Sequence, residues 1–175
     1  MNDTFRRSFP VVTMGGAPLP WKAEQALSEV RVEQSLNVPA AFTLRFNDVD
    51  GALLSADQFA LGNKVEIGVD IANVVTSLMK GEITGLSAEM DGMTGQEQLV
   101  VTGLDGRLRL TRGVKVRDFL NVSDSDVVRK IAGENKLKPE VDTSSRVHDY
   151  LLQSVSDFEF IDQRAQACGF EWWVD

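Results

Sequence analysis

The sequence predicts a β-rich α+β chain, an antiparallel barrel or sandwich over residues 1–113 followed by an α+β unit with two helices over 114–175. Three observations carry this. Apolar and polar residues alternate with period two in several short segments before residue 114. Turn dipeptides ending in glycine separate those segments. Past residue 114 the apolar period becomes helical, with recognisable caps, so a β unit gives way to an α+β unit.

The strands follow in order. Glu29–Gln34 carries Val30 and Val32 on one face. Ala41–Asn47 sets Phe42, Leu44 and Phe46 against Thr43 and Arg45, and Lys64–Asp70 sets Val65, Ile67 and Val69 against Glu66. Such alternation marks half-buried strands. Weaker strands are expected at Val74–Met79, Gly81–Met90 and Gln96–Gly103, with Gly85 a bulge or bend. Asp50-Gly51, Asp91-Gly92 and Asp105-Gly106 tolerate positive φ and read as turns, as does Leu61-Gly62-Asn63. The residues from Met90 to Gly95 are expected to close a hairpin.

Beyond residue 114, Asn121–Asn135 reads as a helix capped by Ser123 or Ser125, with Asp124 and Asp126 in its first turn, where negative charge suits the helix dipole. Val127, Val128, Ile131 and Ala132 form its apolar face. After a polar stretch with Pro139 comes Val147–Val155, which fits a strand or a loop. Ser156 and Glu159 then make a capping box, Phe158, Ile161, Ala165 and Cys168 share one helical face, and Gly169 stands at the C-terminal cap. Phe170–Val174 reads as a strand with Phe170, Trp172 and Val174 on one face and Glu171 and Trp173 on the other. A chain ending on such a strand is expected to be the front part of something larger.

Composition narrows the function. With 43% hydrophobic and 25% charged residues among 175, the chain has the make-up of a soluble globular protein. A net charge of −8 argues against nucleic acid or an anionic membrane as the main partner, since both need clustered cations. One cysteine allows no internal disulfide and no zinc ligand set. No apolar run is long enough to span a bilayer, and the first ten residues lack the apolar core of a secretory signal.

No catalytic constellation stands out, and no cofactor or metal is expected. His148, the single histidine, reads as surface or half-buried structural use rather than a general base. Asp48 with Asp50 and Asp124 with Asp126 read as capping and solvating pairs; the ligands of a calcium loop do not surround the first. Cys168 reads as a small core residue. Arg107, Arg109, Arg112, Lys115 and Arg117 form one basic run in an acidic chain, read as a salt-bridging surface or a patch for an acidic neighbouring subunit. Trp173 is read as core packing or as an interface residue.

Two further stretches carry a family resemblance. Met79–Thr84 (MKGEIT) and Leu99–Gly113 (LVVTGLDGRLRLTRG) resemble a signature of the phage late control protein D and VgrG-type spike family. Asp118–Ala132 (DFLNVSDSDVVRKIA), the closing set Gln153, Ser156, Asp157, Phe160, Ile161, Arg164, Ala165 and Gly169, and Val32–Asp48 with its PAAFTL resemble the same family in the same order. Leu104 departs from it, standing where an aromatic commonly precedes the Asp.

The resemblance implies a partial tail-tube-like β-barrel, residues 1–113, and an inserted α+β unit, 114–175, of a baseplate hub. Full spike proteins of the family add the rest of the hub, an OB-like domain and a β-helical needle. It implies a homotrimer in the full-length protein, docked on the inner tube protein and other baseplate subunits. The part played would be structural rather than enzymatic, linking tube to membrane-piercing needle without nucleic acid or stable membrane anchoring. Assembly in the cytoplasm and delivery to the exterior without a signal peptide follow from the same resemblance. The alternatives are a spike associated with a cell-wall hydrolase, or a free-standing protein-binding module.

Overall fold

Alternating apolar residues bury one face of a strand, and in the first half of the chain they line one side of a single antiparallel sheet. The computed structural model describes residues 8–36, 38–48, 51, 53, 56–90, 95 and 97–174. Its strands are β1 (Ser8–Met14), β2 (Ala17–Pro18), β3 (Leu27–Ser35), β4 (Val38–Asn47), β5 (Lys64–Ile71), β6 (Val74–Met90) and β7 (Glu97–Asp105), with a short helix α1 (Trp21–Ala26) before β3. Spatial order is β2-β1-β5-β6-β7-β4-β3. The β1–β2, β1–β5, β5–β6, β6–β7 and β4–β7 pairings are antiparallel. The β-rich α+β class is therefore what the chain adopts, with the sheet open between β2 and β3 among the described residues.

Backbone contacts divide the chain into two units. The first holds the chain before Leu36 together with Pro39–Asp105; the second holds Leu36–Val38 and Gly106–Val174. The division falls at Gly106 rather than at residue 114. The reason lies in Gly106–Thr111, a 3-10 helix that packs on the last helix and sends Leu110 into the second core.

In the first unit the expected face of β4 is buried: Phe42, Leu44 and Phe46 lie opposite Gly103, Val101 and Leu99 of β7. Phe46 meets Phe59 edge to face at 5.1 Å. Val65, Ile67, Met79 and Ile83 complete the core, with Val30 and Val32 partly buried against it. A Cβ on Gly103 would collide with the Phe42 ring and the Glu82 carbonyl, so this strand position needs glycine. Val74–Met79 and Gly81–Met90 are not two strands but one of 17 residues, which pairs first with β5 and then with β7. The register shifts between Ile83 and Gly85, the bulge that Gly85 foretells. Residues 91–94, the tip of the expected hairpin, and Asp50 lie outside the described residues.

The second unit holds β8 (Arg117–Ser123), α2 (Asp124–Glu134), β9 (Val147–Gln153) and α3 (Asp157–Cys168), with β8 and β9 an antiparallel pair. Val147–Gln153 is thus strand, not loop. Ser123 is the cap of α2, its Oγ accepting from the Asp126 N–H at 3.2 Å. The Ser156–Glu159 capping box forms in both directions, and Gly169 closes α3 at φ 72°. Leu110, Phe119, Val127, Ile131, Phe158, Phe160 and Ile161 make the core, with Phe119 and Phe160 stacked at 5.8 Å.

One expected element does not form. Phe170–Val174 forms no strand, and the only strands of this unit among the described residues are β8 and β9. Backbone and side-chain contacts to α3 replace the ladder. Phe170 N–H bonds back to the Ala165 carbonyl at 2.9 Å, Trp172 packs on Phe158 at 5.0 Å, and its indole N–H reaches Asp162 at 3.3 Å. The alternation survives in part: Trp172 and Val174 are half-buried while Trp173 is 69% exposed.

Candidate functional site

The basic run is not one surface. Arg107 is buried and donates from Nη1 to the Leu36 carbonyl at 3.4 Å. Arg109 is half-buried and Arg112 exposed. Lys115 and Arg117 share strand parity with Phe119 and turn inward, onto the buried carboxylate of Asp157. Of the residues proposed as an interface, the structure leaves Arg112 and Trp173 outermost, and it does not gather the six into one patch.

Asp157, the first residue of α3, is the centre of this arrangement. Its side chain is 2% exposed and accepts from Lys115, from Arg117 Nη2 at 2.8 Å, from Gln153 Nε2 at 2.9 Å and from Asn135 Nδ2 at 2.9 Å. Burial, the largest single influence, raises the affinity of the carboxyl for a proton. The Gln153, Lys115, Asn135 and Arg117 contacts together outweigh it and hold the pKa below the usual carboxylate range. Arg117 also bonds Gln153 Oε1 at 2.8 Å and pairs with Glu134, and it lies over the Phe119 ring, as does Lys130, each 5.1 Å from the centroid.

A second buried carboxylate, Asp124 at the start of α2, has a partner set that local sequence does not show. His148 Nε2 lies 2.9 Å from Oδ2, Arg164 Nε 2.7 Å from Oδ1, and the Cys168 thiol donates to Oδ2 at 3.3 Å. Burial again raises this carboxyl, but the His148, Cys168 and Arg164 contacts leave it below its ordinary value. Burial, and then Asp124, pushes the Cys168 thiol up. His148 is therefore a partnered structural residue. Cys168 joins a polar node rather than the apolar core, and a protonated thiol held by a carboxylate is the reverse of an activated nucleophile.

Both carboxylates are enclosed by hydrogen-bond donors. Asp157 takes donors from β8 and the residues before it, from β9 and from the end of α2, and Asp124 from β9 and α3, which is the company a buried charge requires. Asp126 is exposed and serves the α2 start, accepting from Ser123 Oγ and pairing with Arg129 at 3.1 Å. Asp48 caps its own loop, accepting the Leu53 N–H at 3.0 Å. Among the described residues no cluster of His, Cys, Asp and Glu could hold a metal, and no helix is long and apolar enough to cross a membrane.

The fold itself is shared with solved proteins. The 43 kDa tail protein of prophage MuSo2 from Shewanella oneidensis superposes with a TM-score of 0.71 at 16% identity, over 93% of this chain and 49% of that one. The tail protein from Neisseria meningitidis MC58 gives 0.62 at 16% identity, over 96% and 48%. The E. coli c3393 protein, a type VI secretion component similar to bacteriophage T4 gp27 and gp5, gives 0.61 at 15%, over 88% and 42%. The chain thus spans about half the length of these proteins, and at such identities the likeness is one of fold. No curated protein matches the sequence. The Alg8 N-terminal domain family matches it over residues 9–175, nearly the whole length, and the chain belongs to that family.

Proposed function

We propose that this chain is the first part of a structural hub or spike subunit of a contractile phage tail or a phage-like injection machine of the late control D and VgrG type. The observation that carries the reading is the fold. The fold, an antiparallel sheet followed by a helix-bearing unit, is shared over about nine-tenths of the chain with a prophage tail protein, a second bacterial tail protein and a type VI component. In such a role residues 1–113 supply part of a tube-related barrel and 114–175 the inserted unit. Partners would be further copies in a trimer, the inner tube protein and other baseplate subunits. Arg109, Arg112 and Trp173 are the residues we would place against them. The subunit would be assembled in the cytoplasm and leave the cell as part of the particle. Its work would be mechanical, resting on interfaces rather than catalytic groups.

The test is genetic and visual. In the source bacterium, deletion of the coding sequence should abolish assembled sheath–tube particles in electron micrographs of the lysate, and complementation should restore them. Normal particles in the deletion strain would sink the proposal. Clearing of peptidoglycan by the purified chain in a zymogram would move the reading to the hydrolase-associated alternative.

A further inference from the structure

The β8–β9 ribbon covers its core on one face and leaves the other bare over its first two outward pairs; the third, Val122 with His148, is half-buried. Phe119, half-buried Leu151 and buried Gln153 point inward. Outward, Asp118 lies opposite Leu152, and Leu120 opposite Tyr150. Leu120 is 59% exposed, Tyr150 58% and Leu152 53%; Val116, just before β8 and of the same parity, is also exposed. Strand alternation would place polar residues on a solvated face, and here three of the four paired positions are large and apolar. The fourth, Asp118, is an exposed carboxylate within the strip, and among the described residues no cation pairs with it.

We infer that this face docks an amphipathic helix of another protein, one whose apolar stripe is interrupted by a lysine or arginine set against Asp118. Charge decides the occupant. A second copy of the same face would bring leucines and tyrosines but no cation, so self-pairing would dehydrate two carboxylates with nothing to compensate them. A basic residue within an apolar stripe meets both demands at once. Size agrees: the bare stretch from Val116 to Leu120 runs about 13 Å, the length of about nine residues of helix.

The experiment uses the whole 175-residue chain and three synthetic helical peptides of about 16 residues. One is leucine/lysine, one leucine/glutamate and one serine/lysine. Calorimetry measures affinity, and amide NMR shifts locate the contact. The leucine/lysine peptide should bind and shift β8 and β9, and the other two should bind at least about tenfold more weakly. D118N should weaken the leucine/lysine peptide several-fold, and D118K should reverse the preference toward leucine/glutamate. L120E should abolish binding with the far-UV dichroism unchanged. No binding, equal affinity for both charge signs, indifference to D118K, or shifts elsewhere would each overturn the inference. So would concentration-dependent dimerisation abolished by L120E, which would give the face to a second copy.

Discussion

The two units solve the problem of a stable interior differently. The core of the first rests on apolar packing: β4, β5, β6 and β7 contribute Phe42, Leu44, Phe46, Val65, Ile67, Met79, Ile83, Leu99 and Val101, while its buried carboxylates, Asp48 and Asp105, accept the Leu53 and Ala40 backbone N–H groups. Ion pairs such as Arg45 with Glu29 and Glu89 lie on the outside. The second unit has a smaller apolar cluster and ties its elements together with two buried carboxylates. Asp157 joins α3 to β8, β9 and the end of α2, while Asp124 joins α2 to β9 and α3. Apolar packing is non-directional and tolerates repacking, whereas a saturated buried carboxylate fixes which segments meet and in what register. A two-stranded ribbon and two helices have little sheet to define them, and the two nodes supply that definition.

The comparison breaks most visibly at the core of the first unit. Phe46→Ala removes a fully buried ring with an edge-to-face partner and should cost about 4 kcal/mol. Urea titration followed by NMR should show the loss in amides of β4 and β7. Equal loss in α2 and α3 would mean that the units unfold as one.

Next in size is the Asp157 node. Asp157→Asn keeps the shape but removes the charge that Lys115 and Arg117 are turned toward, and it should cost about 3 kcal/mol at neutral pH. The acid response sharpens the point. The folded pKa values of Asp124 and Asp157 are depressed. Their contribution is therefore fully present above the unfolded value, about 3.9, and is lost as pH falls through the lower folded values. The second unit should lose stability steadily below about pH 4, and the Asp124→Asn/Asp157→Asn double variant should flatten that slope. An unchanged slope would mean that neither carboxylate is coupled to folding.

What the sequence shows of this contrast follows from distance along the chain. Period-two alternation in Phe42-Thr43-Leu44-Arg45-Phe46 is local, so the buried face of β4 is legible at once, as is the Ser156–Glu159 box. The Asp124 node draws on His148, Arg164 and Cys168, which lie 24, 40 and 44 residues away. No local period links them; only the tertiary fold brings them together. Lys115 and Arg117 did carry a signal, for with Phe119 they alternate onto one side of a strand, the pattern of inward rather than outward residues. The closing segment errs the other way. Phe170, Trp172, Trp173 and Val174 have high strand propensity, but propensity needs a neighbouring edge, and Trp172 is held by its own helix instead.

The smallest test separates local from long-range order in the second unit. The Ser156 hydroxyl accepts the Glu159 N–H at 3.2 Å, and Glu159 returns a bond to the Ser156 N–H at 3.2 Å. Both bonds sit one residue before and two after Asp157, so cap and node share a single turn of α3. Ser156→Ala removes one of the two bonds and should cost about 1 kcal/mol while leaving the Asp157 contacts in place. A double-mutant cycle with Asp157→Asn then decides how α3 is held. Additive losses mean the cap starts the helix and the carboxylate places it, as two separate functions. A coupling of more than about 0.5 kcal/mol would mean that the cap acts by aiming Asp157 at Lys115 and Arg117, and that the local signature most legible in the sequence is part of the long-range node.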